Sequence, residues 1–236
     1  VDLNINVFEM EIPVQREIER IGNYYTVSFS PKIHSFKQIF FKRVMDIVGA
    51  IVGLLITGIV TVFLAPALLI ESPGPLFFSQ VRVGKNGRRF KIYKFRSMYM
   101  DAEERKKELM SQNEMEGLMF KMENDPRVTK VGKFIRKTSI DELPQFWNIL
   151  KGEMSLVGTR PPTEDEFLQY EGYHRRRLNM TPGLTGLWQV SGRSDTKNFE
   201  EIVAMDVEYI DNWSLKEDIK ILFKTVGVVL KGKGAS

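Results

Sequence analysis

A chain of 236 residues, 43% apolar and 27% charged, carries enough sequence for one membrane segment and one water-exposed domain, which excludes a polytopic transporter. Its 34 lysines and arginines against 30 acids leave a net charge of +4, suited to an anionic partner: a phospholipid surface, a nucleotide diphosphate or a nucleic acid. With no cysteine, disulfides and thiolate metal sites are excluded, and a reducing cytosolic face is a natural home.

The first twelve residues alternate apolar and polar side chains as a strand does, and hold no cleavable apolar stretch. The sequence opens on Val1 rather than methionine, so residues 1–31 are expected to be the tail of a preceding domain. Two aromatic-rich pieces follow, Tyr24, Tyr25 and Phe29, then Phe36, Phe40 and Phe41. They suit either the headgroup level of a membrane or plain core packing.

Between Arg43 and Glu71 lies an almost uncharged apolar run, broken only by Asp46. A span needs about 20 apolar residues to cross a ~30 Å hydrocarbon core, so length permits a crossing. Charge opposes it, because basic residues mark the cytoplasmic side and here flank both ends: Lys37, Lys42 and Arg43 before, then Arg82, Lys85, Arg88, Arg89, Lys91, Lys94 and Arg96. Gly49, Gly53, Thr57, Gly58 and Pro66 weaken the helix from within. The reading preferred is a re-entrant hairpin, over a crossing helix or a buried core helix. Gly49 and Gly53 form a small-xxx-small pair, which admits a homodimer or packing inside the hairpin.

Ser72-Pro73-Gly74-Pro75 stops this helix. Alternating segments then flank Lys85-Asn86-Gly87, and an Asn-Gly pair between such segments predicts a β-hairpin. Asp101 to Leu118 has the composition of a solvated amphipathic helix. Val128, Val131, Phe134 and Ile135 predict the buried face of a second helix ending near Lys137. Leu143, Phe146, Trp147 and Leu150 predict a third, starting at Ser139 or Asp141 and capped at Gly152. Ile219, Leu222, Phe223, Val226 and Leu230 mark a last amphipathic helix, able to lie in a membrane interface.

The sharpest chemical constellation is Arg136-Lys137-Thr138-Ser139-Ile140-Asp141-Glu142, two adjacent carboxylates at a helix start below an arginine. Ser139 and Glu142 have capping-box spacing, which explains the acids without catalysis. The functional reading is that the helix start keeps Asp141 ionised and attracts a phosphate. A carboxylate can then attack phosphorus, with Mg²⁺ and arginines screening anion from anion. Arg160 lies in a proline-stiffened loop, and the glycine-punctuated stretch 181–193 carries Trp188, Gln189 and Arg193, enough to hold a base and a phosphate. Turn chemistry alone also explains those glycines. His34 and His174 lack metal-ligand spacing. Nucleic-acid binding is disfavoured, because acids balance the basic residues and no recognition motif is present.

From about Phe36 onward the motifs KRVMDIVGA, SPGPLFFSQVRVGKNGRRFKIYKFRSM, NDPRVTKVGKFIRKTSIDELPQFWNILKGEMSLVGTRP and TPGLTGLWQVSGR occur in order. In this the chain resembles the bacterial sugar transferase family, monotopic phosphoglycosyl transferases acting on undecaprenyl phosphate. The resemblance implies a cytosolic-face enzyme of the inner membrane that moves a sugar-1-phosphate from a UDP-sugar to undecaprenyl phosphate and releases UMP. It implies Asp141 as nucleophile, Glu142 with Asp141 as the Mg²⁺ site, and Lys94, Arg136 and Arg160, with Arg96 beside them, as phosphate contacts. The Trp188-Gln189 and Arg193 loop corresponds to the nucleotide side. Where the family's re-entrant helix is broken by a Ser-Pro pair, gapless counting finds Gly58-Ile59, so the break is expected at Thr57-Gly58 with help from Pro66.

The expected architecture is α+β and mostly helical: a tail over 1–31, a re-entrant membrane anchor over 32–75, and a cytosolic transferase domain over 76–236. The rival from another class is a membrane-tethered basic scaffold that binds anionic lipid, for which the identity of Asp141 is immaterial.

Overall fold

A computed structural model describes residues 14–21, 24–31, 35–109, 113, 117–118, 122, 124–191 and 198–230. The strand expected in the first twelve residues, His34 and the Gly192-Arg193 corner lie outside the described residues. The chain divides into two compact units between Phe40 and Phe41. In the first, strands β1 (Val14–Ile21) and β2 (Tyr24–Pro31) pair antiparallel, Val14 opposite Pro31 and Ile21 opposite Tyr24.

The apolar run forms one continuous helix, α1 (Phe36–Glu71), instead of two helices joined at Thr57-Gly58. The hydroxyls of Thr57 and Thr61 donate to the carbonyls of Gly53 (2.7 Å) and Thr57 (2.6 Å), bonds that satisfy a hydroxyl within a helix. Thr57 also donates to the Leu143 carbonyl at 3.2 Å, so the expected break point is packed in place.

Helix α1 is mostly polar or small where it is buried and apolar where it is bare. Lys42, Asp46, Ala50, Gly53, Thr57 and Leu68 form its buried stripe, while Leu55, Phe63 and Ile70 stand exposed at 67%, 78% and 85%. That inverts the polarity of a helix folded in water and suits lipid on the outer faces. Both ends are fastened to the same domain. Near the start, Lys42 donates to Asp218 (2.6 Å) and the Val157 carbonyl (2.9 Å), and Arg43 donates to the carbonyls of Ile149 and Leu150. At the end, Glu71 accepts the N–H groups of Lys130 (2.6 Å) and Val131 (2.8 Å). Lys42, read in the sequence as part of the basic flank of the apolar run, is thus a buried fastening. Gly49 and Gly53 are filled from within the chain: a Cβ at Gly49 would meet Leu156, and one at Gly53 the Phe146 ring.

The stop after Glu71 and the hairpin form as expected. Strands β3 (Phe77–Val83) and β4 (Arg89–Phe95) pair antiparallel across a turn in which Asn86 (φ 56°) and Gly87 (φ 77°) are left-handed. Helix α2 spans Ala102–Leu109, and most of the rest of the stretch predicted to reach Leu118 lies outside the described residues.

Helix α3 (Lys130–Lys137) is capped by the Thr129 side chain, which accepts the Gly132 N–H at 2.8 Å. Ile135 is buried as expected, but Phe134 points outward at 60% exposure. The third predicted helix begins as a 3-10 turn, Ile140–Gln145, and continues as α4 (Phe146–Lys151), ending on left-handed Gly152 at φ 83°. There is no capping box: Ser139 is left-handed at φ 56° and its side chain makes no cap bond. Trp147, expected on the buried stripe, is half exposed, and Ile149 is buried in its place.

Strands β5 (Ser155–Val157) and β6 (Gly183–Thr185) pair parallel. Gly158, Gly183 and Gly186 interlock here, a Cβ on any of them meeting backbone within 2.4 Å, so close backbone approach requires these glycines. Helices α5 (Glu164–Leu168), α6 (Leu187–Ser191) and α7 (Phe199–Asp211) surround a core that includes Tyr170, Trp188, Phe199, Ile202 and Val203. The last helix, α8 (Leu215–Leu230), buries Asp218 and Ile221 while exposing Ile219, Phe223 and Val226.

Candidate active site

Asp141 and Glu142 lie in the first turn of the 3-10 segment, with Asp141 buried at 7% exposure. Strand β4 lies against this segment and supplies Lys94, whose Nζ is 2.8 Å from a Glu142 carboxylate oxygen and 3.9 Å from one of Asp141. Asn148 sets the distance between strand and dyad. Its Oδ1 accepts the Tyr93 N–H, and its Nδ2 donates to the Lys91 carbonyl (2.7 Å) and to Glu153 (2.7 Å). This buried amide joins α4 to β4 through polar groups that would otherwise lack partners.

A second charged group stands behind the dyad. Arg160 pairs with buried Glu166 at 3.1 Å, and Glu166 completes a capping box with Thr163 at the start of α5. Arg82, from β3, donates to the Pro161 carbonyl (3.1 Å) and to Gln80 (2.8 Å). Burial pushes the Arg82 guanidinium down to about 10, Arg160 adds repulsion, and Glu166 and Glu142 oppose both, so Arg82 remains a cation at neutral pH. Burial pushes Glu166 up, but Arg160 and Arg82 overcome it and hold the carboxyl below its ordinary range. Lys94, Glu142, Arg82, Glu166 and Arg160 therefore form a single electrostatic neighbourhood.

Arg82 is the site residue that the sequence reading counted only as a membrane flank. The signal was present in the strand period: with β3 and β4 paired, Phe78 opposite Lys94 and Arg82 opposite Phe90, the two cations share one face of the hairpin. Arg136 occupies the last turn of α3, directly before the dyad, and its charge helps to hold Asp125 below its ordinary range after burial and the Arg127 hydrogen bonds have had their larger effects. Arg96 is buried and donates to the carbonyls of Ser72 and Pro73 (3.3 Å), latching the loop that ends α1. Gln189 donates to the Leu184 carbonyl at 3.2 Å and borders a cavity, while Arg193 lies outside the described residues.

That cavity has a volume of about 310 Å³ and opens beside Glu142, walled largely by aliphatic side chains. His174, given no role from sequence, bonds Glu200 at 2.9 Å and accepts the Glu171 N–H. Among the described residues no group of three or more His, Asp or Glu side chains forms a metal cage. The dyad still fits Mg²⁺, a hard cation commonly held by one or two carboxylates together with substrate phosphates.

An apolar-faced helix fastened at both ends to the domain that carries Asp141, Glu142, Lys94 and Arg82 suits a membrane-associated protein. The profile of the bacterial sugar transferase family matches residues 37–232, and the chain belongs to that family. It is similar to the galactosyl transferase CpsE of Streptococcus agalactiae serotype III, at 54% identity over 235 residues, covering 100% of this chain and 52% of the relative. It is similar also to the UDP-galactose-lipid carrier transferase of Erwinia amylovora, at 47% identity over 83% of this chain and 42% of the relative. The undecaprenyl-phosphate galactose phosphotransferase of Salmonella typhimurium is 46% identical over 83% of this chain and 42% of its own length. The chain thus spans about half the length of these three relatives.

Proposed function

We propose that the chain transfers a sugar-1-phosphate from a UDP-sugar to undecaprenyl phosphate on the cytosolic face of the inner membrane, in the assembly of an exopolysaccharide or related surface glycan. The observation that carries this reading is the buried Asp141, with the Glu142–Lys94 pair beside it, in a domain that holds both ends of an apolar-faced helix. The names of its relatives point to the same donor and acceptor classes.

In the first half-reaction an Asp141 carboxylate oxygen attacks the sugar-bearing phosphorus, and the phosphorus–oxygen bond to UMP breaks. UMP leaves with the electron pair. In the second, a phosphate oxygen of undecaprenyl phosphate attacks the aspartyl phosphosugar and returns Asp141 to its ionised form, giving a diphosphate-linked lipid. Lys94, 2.8 Å from a Glu142 carboxylate oxygen and 3.9 Å from one of Asp141, offsets the negative charge of the dyad as the donor's diphosphate approaches. Arg82, Arg136 and Arg160 offset phosphate charge. Asp141 and Glu142 would hold Mg²⁺, which would supply Lewis-acid polarisation and screen carboxylate from phosphate. Because a domain holding both ends of α1 resists being drawn through a bilayer, the helix enters from one side and brings the site to the headgroup plane, raising the local concentration of the lipid substrate.

The test is UMP release from a UDP-sugar panel by purified protein. Wild type is expected to give a stoichiometric burst without acceptor and a sugar-phosphate adduct on the Asp141 peptide by mass spectrometry. Asp141→Asn is expected to lose both. Near-normal turnover by that variant would remove Asp141 as nucleophile and favour the scaffold reading.

A further inference from the structure

We infer that the aliphatic cavity beside the dyad seats the first isoprene units of the lipid acceptor. This rests on the transfer reading above and adds to it the place where the hydrocarbon of the acceptor binds.

One wall runs from Lys137 to Leu143, so the cavity starts at Glu142, one residue from the proposed nucleophile. Phe146 lines it too, and the same ring occupies the space beside Gly53 of α1. A single ring thus lies between the cavity and the helix whose outer faces are apolar. Helix α8 supplies Leu222, Thr225 and Val226, and on its outer side bares Ile219 and Phe223, so the surroundings are also apolar.

The lining selects among the ligands the site must handle. Away from the dyad its hydroxyls are already engaged: Thr185 and Thr225 bond each other at 2.7 Å, and Thr225 also donates to the Ile221 carbonyl at 2.8 Å. The Gln189 amide is held by Leu184. A uracil or a sugar would bury its polar edges here against partners that are already satisfied, which is costly. A branched hydrocarbon incurs no such cost and gains by leaving water. Charge is complementary in the same sense, since the cation on the lining, Lys137, stands at the dyad end where a lipid phosphate would lie. The volume of about 310 Å³ suits a short segment of isoprenoid rather than the whole chain, the remainder staying in the bilayer.

The test uses Leu222→Trp, which fills the cavity, and Leu222→Ala, which enlarges it, both in the full chain in lipid nanodiscs. With UDP-galactose, or whichever UDP-sugar gives the wild-type burst, the UMP burst without acceptor is expected to stay within about twofold of wild type. The KM for undecaprenyl phosphate is expected to rise at least about tenfold in Leu222→Trp, the loss that follows when a few methylenes are denied burial. In parallel, a benzophenone-bearing polyprenyl phosphate is photolysed with the wild-type protein, and the adduct is expected in the α8 peptide, displaced by undecaprenyl phosphate but not by phosphatidylglycerol or inorganic phosphate. The inference is overturned by an unchanged acceptor KM with a normal burst, by a label absent from α8, or by equal displacement with phosphatidylglycerol. A selective loss of the donor burst in a folded variant would assign the cavity to the nucleotide. If Leu222→Trp misfolds, Leu222→Ala and the wild-type labelling decide. Failure of the wild-type burst itself would count against the transfer reading, not against the cavity alone.

Discussion

Glu166 serves two guanidiniums at once, and its removal should be felt in both stability and chemistry. Its folded-state carboxyl lies below the ordinary range because Arg160 and Arg82 outweigh burial, so its charge-linked stability is complete above the ordinary glutamate value of about 4.3 and is lost as pH falls through the lower folded value. The melting temperature of wild type is therefore expected to exceed that of Glu166→Gln at pH 7, with the gap narrowing on acidification below about pH 4, measured by scanning calorimetry. A gap that widened with acid would contradict the assignment. Arg160→Ala should lose about 2–4 kcal/mol of transition-state stabilisation in kcat/KM, by analogy with removal of an oxyanion donor. Arg82→Met should lose a comparable amount, and an Arg82→Met enzyme of normal kcat/KM would show that this cation only braces the Pro161 carbonyl. Arg160 was legible in the sequence through its motif. Arg82 had only the strand period to mark it, and only the pairing of β3 with β4 puts it on one face of the hairpin with Lys94.

Among the elements, α1 behaves as a membrane helix on its outside and as a keystone of the domain on its inside. The Lys42–Asp218 pair is almost fully buried, and Asp218 also accepts from the Tyr209 hydroxyl (2.6 Å) and the Trp213 indole (3.1 Å). Removing one member of such a pair leaves a buried charge uncompensated, so Lys42→Met is expected to cost about 3–5 kcal/mol, read by urea denaturation in detergent micelles. A double variant replacing Asp218 as well should recover part of it. Gly53→Leu is expected to push the Phe146 ring away from α1, and thereby to disturb the start of α4 more than α1 itself. Trypsin sensitivity near Lys151 gives the readout, and an unchanged digest would mean that the ring has another place to go. The 3-10 start of the segment carrying Asp141 and Glu142 was not foreseen, because Ser139 takes a left-handed backbone where capping spacing had suggested an ordinary helix start.

For the whole molecule, membrane attachment is the property that no single element decides. Since the same domain fastens α1 at Lys42 and at Glu71, cysteines placed at Lys37 and Lys85 in this cysteine-free chain should react with an impermeant maleimide from the same side of sealed vesicles. Opposite sidedness would make α1 a crossing helix. Its apolarity, the Asn-Gly hairpin and the position of the carboxylate pair were all determined by the sequence itself, because each depends on composition or on neighbours within a few residues. Only the tertiary structure decided that Lys42, Arg43 and Asp46 face inward, that Arg82 and Glu166 complete the charged cluster, and that an aliphatic cavity opens at Glu142. These features depend on partners as far apart as the 176 residues that separate Lys42 from Asp218, and local pattern carries no information about which distant groups the folded chain will bring within hydrogen-bonding reach.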